Sequence, residues 1–287
     1  MGERDGYMPG VPCWADTSQP DPEAAVAFYS GLFGWEFADA MPGSAGDYFI
    51  ARLRGGDVAA VAQSGGGSTV WNTYVCVDSA DAAAARVFEA GGRIASPPFD
   101  VGDAGRMAVF TDPEGAAFCV WQANRHPGAR IVNEHGAVNF NNLNTRDIDG
   151  AKAFYGAVFG WDTFGLPGGA EMWRLAGYGD YLELSEPGIR KRMAESAAAP
   201  EGFEDVVATV LPIAEDDADT PAHWSVTFAV DDADATAERA ADLRGRVIVP
   251  PFDAPWVRMT VITDPQGATF SATKFVPENR DLGRAEL

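Results

Sequence analysis

The chain repeats itself, and a duplication constrains architecture before any propensity argument begins. The segment FYSGLFGWEF starting at Phe28 returns as FYGAVFGWDTF at Phe154. The segment VDSADAAAARVFEAGGRIASPPFD from Val77 returns as VDDADATAERAADLRGRVIVPPFD from Val230, and TDPEG from Thr111 returns as TDPQG from Thr263. Between its first two blocks the second copy is longer by about 27 residues, which read as an elaborated loop near 186–222. That insert contains IRKRMAESAAA, a short predicted helix, and the acidic run from Glu215 to Asp219, a solvated face. Residues 125–135 carry Pro and Gly with few apolar side chains and read as a linker. The expected organisation is therefore a first domain over 10–124, a second over 136–275 with its insert, and a tail over 276–287.

Each copy is itself doubled. A strand ending near Asp16 precedes a helix whose Ala25, Phe28, Tyr29, Leu32 and Phe33 recur at helical spacing, with Pro22 near its start and Gly34 just past its end. Alternating strands follow at Tyr48–Leu53 and Val58–Ala62. The pattern then restarts with a strand at Thr73–Val77, an Ala-rich helix from Asp81 to Glu89, and strands around Met107–Phe110 and Ala117–Trp121. The fold class is α+β, built from four βαβββ units in two tandem domains.

Composition excludes several kinds of partner. The 287 residues carry 42 Asp plus Glu against 21 Lys plus Arg, a net charge of −21. Such a surface repels phosphate backbones and anionic headgroups, so neither nucleic acid nor membrane is an expected partner. No run is apolar enough for a signal peptide or a membrane span, and the three widely spaced cysteines suit reduced thiols. The expected compartment is the cytoplasm, and the expected assembly a monomer or homodimer.

The paired βαβββ units, the FYxxxFGW helix end, the VDDxDAT turn and the TDPxGAxF hairpin together resemble the vicinal oxygen chelate superfamily, which includes glyoxalase I, extradiol dioxygenases and bleomycin-resistance proteins. The resemblance covers roughly residues 10–124 and 136–275. It implies cup-shaped sheets and metal ligands, His or Glu, at four inward strand positions of each cup. Carried over one at a time, those positions hold Trp14, Ala60, Asn72 and Cys119 in the first copy and Phe140, Glu183, Ser225 and Ser271 in the second. Whether units pair within a copy or swap, no cup collects three good ligands. The expectation is no metal or other cofactor, with a divalent metal as the alternative.

Side chains two apart on a strand share a face. The inferred cup lining is Trp14, Asn72, Tyr74, Cys76, Cys119 and Trp121 in one copy, and Phe140, Asn142, Asn144, Tyr181, Ser225 and Ser271 in the other. Aromatic area with scattered amides and hydroxyls suits an apolar or aromatic small molecule. Glu183 and His223 are the candidates for proton transfer, and His126 and His135 read as surface residues of the linker. Two functions compete. One is metal-free binding of such a molecule for sequestration, antibiotic resistance or natural-product biosynthesis. The other is a lyase, cyclase or isomerase acting through Glu183 and His223 or an unrecognised metal. A third, lesser possibility is a tandem module that docks a basic partner on its acidic face.

Overall fold

The computed structural model describes residues 4–41, 47–66, 69–165, 171–195 and 202–282. The first copy runs β1 (Pro12–Gln19), α1 (Pro22–Phe33), β2 (Glu36–Asp39), β3 (Tyr48–Leu53), β4 (Gly56–Gln63), β5 (Val70–Cys76), α2 (Ala80–Glu89), β6 (Arg93–Val101), β7 (Gly105–Thr111) and β8 (Ala117–Ala123). The second runs β9 (Val138–Thr145), α3 (Ile148–Phe159), β10 (Asp162–Gly165), β11 (Glu171–Arg174), α4 (Tyr178–Ser185), α5 (Ile189–Glu195), β12 (Val206–Pro212), β13 (His223–Ala229), α6 (Ala233–Asp242), β14 (Arg246–Ala254), β15 (Val257–Thr263) and β16 (Thr269–Phe275). Each copy forms one eight-stranded sheet, in the orders β2-β3-β4-β1-β5-β8-β7-β6 and β10-β11-β12-β9-β13-β16-β15-β14. The two units of a copy join through an antiparallel seam, β1 with β5 and β9 with β13. Units therefore pair within a copy, and each sheet curls into its own cup.

The helices tell a different story. Asp21 caps α1 by accepting from Ala24 N–H, Pro22 opens it, and Gly34 ends it at φ 70°. A helix of 12 residues is marginal alone, so burial must hold it. Its Phe33 packs 5.0 Å from Phe228 and its Tyr29 lies 6.0 Å from Phe270, both residues of the other copy. In reciprocal fashion Tyr155 and Phe159 of α3 pack 5.7 and 5.9 Å from Phe118 of the first copy. At ~1.5–3 kcal/mol for each buried large side chain, these contacts outweigh the intrinsic weakness of either helix.

The recurring motifs meet in these crossings. Tyr29 Oη donates to Asp264 Oδ2 at 2.9 Å, and Tyr155 Oη donates to Asp112 Oδ2 at 3.0 Å. Each aspartate's other oxygen accepts backbone N–H groups of its own turn, Gly115 and Ala116 or Gln266 and Ala268. The FY pair of one copy and the TDPxG turn of the other are thus halves of one joint. Thr73 Oγ1 adds a further link by donating to Asn141 Oδ1 at 2.8 Å.

The insert departs from its expected place. It precedes the fourth strand of its unit as α4, α5 and a short 3-10 turn at Phe203–Asp205, so residues 206–212, expected inside the insert, form β12. Tyr181 and Glu183, expected on a cup strand, lie in α4. The alternation of Tyr181, Leu182, Glu183 and Leu184 mimics a strand, but Tyr178 and Leu182, four apart, are buried, whereas Leu184 is 83% exposed. The last part of the expected insert helix, and residues 67–68 between β4 and β5, lie outside the described residues.

Candidate functional site: two cups with different floors

The register of the first sheet fixes its cup. Asp16 stands opposite Asn72 on one side and Ala60 on the other, Trp14 pairs with Tyr74, and Tyr74 with Cys119. These residues share the inward face because each lies an even number of steps from the next along its strand. Tyr48 and Ile50 of β3 and Met107 and Val109 of β7 continue the wall. Trp14, Asp16, Tyr74, Cys119 and Trp121 are buried at the floor, while Ser18, Tyr48, Asn72 and Val109 are half-buried above them.

Asp16 is the chemical centre of this cup, and it was not among the residues singled out above. Only 2% exposed, it accepts from Tyr74 Oη at 2.7 Å and Tyr48 Oη at 3.1 Å on Oδ2, and from Asn72 Nδ2 at 2.8 Å on Oδ1. Trp14 Nε1 in turn donates to Tyr48 Oη at 3.0 Å. Burial raises the carboxyl above its ordinary range, and the three donors recover only part of that cost. The same desolvation, with Asp16 nearby, pushes the Cys119 thiol far up, so it is an inert thiol and not a nucleophile.

A raised acid pKa has a definite sign in stability. The folded chain holds the Asp16 proton more tightly than the unfolded chain, so this group's contribution falls as pH rises from about 4 through the folded value. Asp16→Asn, which removes the charge and keeps the shape, should therefore raise the thermal midpoint at neutral pH by roughly 2–4 °C, the shift that about 1 kcal/mol produces in a large domain. The gain should vanish below about pH 4. Melting curves of the two proteins across pH test this, and a midpoint lowered at neutral pH would show that the three donors outweigh desolvation.

The linker closes one end of the same cup. His126, expected at the surface, is only 18% exposed at its side chain. Its ring stands edge-on to Trp14 at 4.5 Å and to Trp121 at 5.9 Å, and its carbonyl accepts from Trp121 Nε1 at 2.8 Å. Burial lowers its pKa, opposed by Asp57 at 3.8 Å, and its Nε2 has no hydrogen-bond partner among the described residues. Ala129 N–H donates to Cys13 O at 2.8 Å, and Gly128 at φ 114° lies so close that a Cβ there would stand 2.4 Å from that oxygen. Only glycine fits this crossing.

The second cup repeats the geometry with other chemistry. Asn142 takes the place of Asp16, Phe140 that of Trp14, Thr209 that of Ala60, Ser225 that of Asn72, Thr227 that of Tyr74 and Ser271 that of Cys119. The register assigns Ala60's counterpart to Thr209, correcting the alignment with Glu183. Asn142 donates to Thr227 Oγ1 at 2.8 Å and accepts from Thr209 Oγ1, and Asn144 Nδ2 donates to Ser225 Oγ at 3.1 Å. The amide row is satisfied within the protein, so it does not by itself call for a ligand. Val249 and Phe252 of β14 and Phe275 of β16 share the inward face by register and are 37%, 40% and 55% exposed. Phe203, where the insert ends, stands 6.4 Å from Phe140.

The expected proton-transfer pair is not assembled. Glu183 accepts the N–H groups of Gly188 and Arg190, caps the start of α5, and is held below the usual carboxylate range by those bonds. Tyr181 stacks on Tyr178 at 6.5 Å. His223 alone keeps its place at the entrance of β13, with Nδ1 2.8 Å from Pro221 O.

Neither donor set suits the superfamily's divalent metal. Trp14, Ala60, Asn72 and Cys119 offer one high-pKa thiol, and Phe140, Thr209, Ser225 and Ser271 offer hydroxyls alone. The one carboxylate in the first cup, Asp16, already accepts three hydrogen bonds. Among the described residues no three His, Cys, Asp or Glu gather as ligands.

Two eight-stranded sheets of paired βαβββ units, each with a cup, define a tandem vicinal oxygen chelate protein. The chain belongs to the glyoxalase/bleomycin resistance protein/dioxygenase superfamily, which matches residues 137–271, and a glyoxalase-like domain matches residues 14–121. It is 41% identical to the putative glyoxylase CFP32 of Mycobacterium tuberculosis, over 97% of this chain and 100% of that protein. It is 34% identical to the anthracycline biosynthesis protein DnrV of Streptomyces peucetius, over 93% of this chain and 94% of that one. Among solved structures it resembles the Mn(II)-bound glyoxalase from Novosphingobium aromaticivorans, with a TM-score of 0.60 and 17% identity over 93% of this chain and 82% of that one. The 2,3-dioxygenase LapB from Pseudomonas sp. KL28 has a TM-score of 0.59 and 13% identity over 93% of both chains. At such identities the likeness is one of fold. No described helix is long and apolar enough to cross a membrane.

Proposed function

We propose that the chain binds an apolar or aromatic small molecule in its cups without a metal, in a sequestering, resistance or biosynthetic carrier role. The observation that carries this reading is the exposed apolar wall of the second cup. Val249, Phe252 and Phe275 lie by register on the same sheet face as Asn144, Ser225 and Ser271 and remain partly uncovered. Exposed apolar area on a concave face marks a binding surface more often than a convex scatter does. A flat molecule could lay one face on the wall and turn its polar edge to the row. The relative named for anthracycline biosynthesis supports a small-molecule role, and three buried free cysteines suit a cytoplasmic setting.

Covering ~200–300 Å² of apolar ligand surface contributes roughly 5–7.5 kcal/mol before entropic costs, so the polar row must supply orientation and part of the affinity. Titration of flat aromatic compounds, followed by tryptophan fluorescence, tests the reading. Phe252→Ala and Phe140→Ala should each weaken binding about tenfold. Affinity for a genuine ligand unchanged in both variants would place the site elsewhere. A lyase, cyclase or isomerase reading loses Glu183, and what remains for it is His223 in the second cup and the Asp16 cluster in the first.

A further inference from the structure

The two floors differ at six aligned positions, and one of these differences is a difference of charge. Asp16 and Asn142 occupy the same step of homologous strands, yet the first is a carboxyl and the second a neutral amide. The other deeply buried aspartates, Asp112 and Asp264, cap turns and seat tyrosines. Asp16 caps nothing, since every recorded partner is a side chain of the cup, and among the described residues no Arg, Lys or His pairs with it.

We propose that the first cup is a site for a flat apolar molecule carrying a protonated amine, with Asp16 as its buried countercharge. This rests on the reading that the cups take small molecules, and assigns one of them a chemical class. The Tyr48 and Tyr74 hydroxyls and the Asn72 amide donate to Asp16, and Trp14 Nε1 to Tyr48 Oη, so what these groups leave over is mainly acceptor capacity. Asn72 Oδ1, Ser18 Oγ and the remaining lone pair of Tyr48 Oη stand half-buried above the carboxyl. An ammonium brings donors and nothing else, whereas an anion or a carbonyl would meet lone pairs. The ammonium need not touch Asp16, because a charge buried this deeply is poorly screened and acts through the rim acceptors. The net charge of −21 draws cations toward the chain in general but does not choose between cups.

The test compares two probes of one shape, naphthylethylamine and naphthylethanol, by calorimetric titration of the full chain at neutral pH. The amine should bind about tenfold tighter or better, a gap of ~1.4 kcal/mol or more. The gap should persist in about 0.5 M sodium chloride, which screens surface charge but not a buried one. Asp16→Asn should bring the amine to the affinity of the alcohol for the same variant. Tyr48→Phe, which keeps the carboxyl, should shrink the gap severalfold and serves if Asp16→Asn is poorly folded. Equal binding of both probes overturns this inference and leaves the broader reading intact. A preference that disappears in salt, or survives both substitutions, also overturns it, because the attraction is then diffuse. Binding of neither probe counts against the inference and the broader reading together.

Discussion

Expressed alone, residues 4–130 should be insoluble or aggregated, and so should residues 131–282, while the two produced together should form a soluble complex. The reason lies in the crossed helices. Without α3, the first half leaves Val75, Val77, Val87, Phe118 and Val120 uncovered, all buried in the whole chain against Phe154, Tyr155, Val158 and Phe159. Without α1, the second half exposes Val226, Phe228 and Phe270. Contiguous apolar areas of that size are an aggregation hazard and not a tolerable surface. Size-exclusion chromatography of the separate and co-expressed halves checks this. A monomeric, cooperatively unfolding first half would mean that each copy is an independent domain and that the crossings are incidental.

Asp264→Ala should cost about 3–5 kcal/mol, the range for breaking a buried charged hub. The side chain is 3% exposed and accepts four hydrogen bonds, from Tyr29 Oη, Gln19 Nε2 at 2.7 Å, and the N–H groups of Gln266 and Ala268. Alanine leaves a buried phenol without its acceptor and takes from the Gln19 amide one of its two, Thr17 Oγ1 remaining, and it loosens the turn as well. Asp112→Ala removes the equivalent contacts to Tyr155, Gly115 and Ala116 and should cost a similar amount. Urea unfolding should show the midpoint falling with little change in slope. Losses below about 1 kcal/mol in both variants would show that water replaces the carboxylate at the joint.

The duplication and the four βαβββ units are legible in the sequence, because motif order and the two-residue step of a strand survive without tertiary information. The same step from Trp14 reaches Asp16, but Asp16 reads from the sequence as the polar end of an apolar strand, and nothing local says that Tyr48 and Tyr74 converge on it. Tyr181 and Glu183 were misplaced for the opposite reason. Their local alternation is clear, yet the i, i+4 burial of Tyr178 and Leu182 overrode it. His126 reads as a surface residue because its burial depends on the linker folding back over Trp14, a contact between residues more than a hundred apart. The partnership of FY with TDPxG is equally silent, since each motif looks like a local device.

The crossed helices also bear on how such a chain can diversify. Tyr29 reaching Asp264 while Tyr155 reaches Asp112 is the reciprocity of an isologous dimer, in which each subunit gives the other what it receives. In a dimer of identical subunits, any change at one floor appears at both. Joining the halves in one polypeptide keeps the pseudo-dyad and removes that constraint, so one binding floor can gain a charge while its twin stays neutral. The carboxyl at position 16 and the amide at position 142 are that freedom written into a single residue pair.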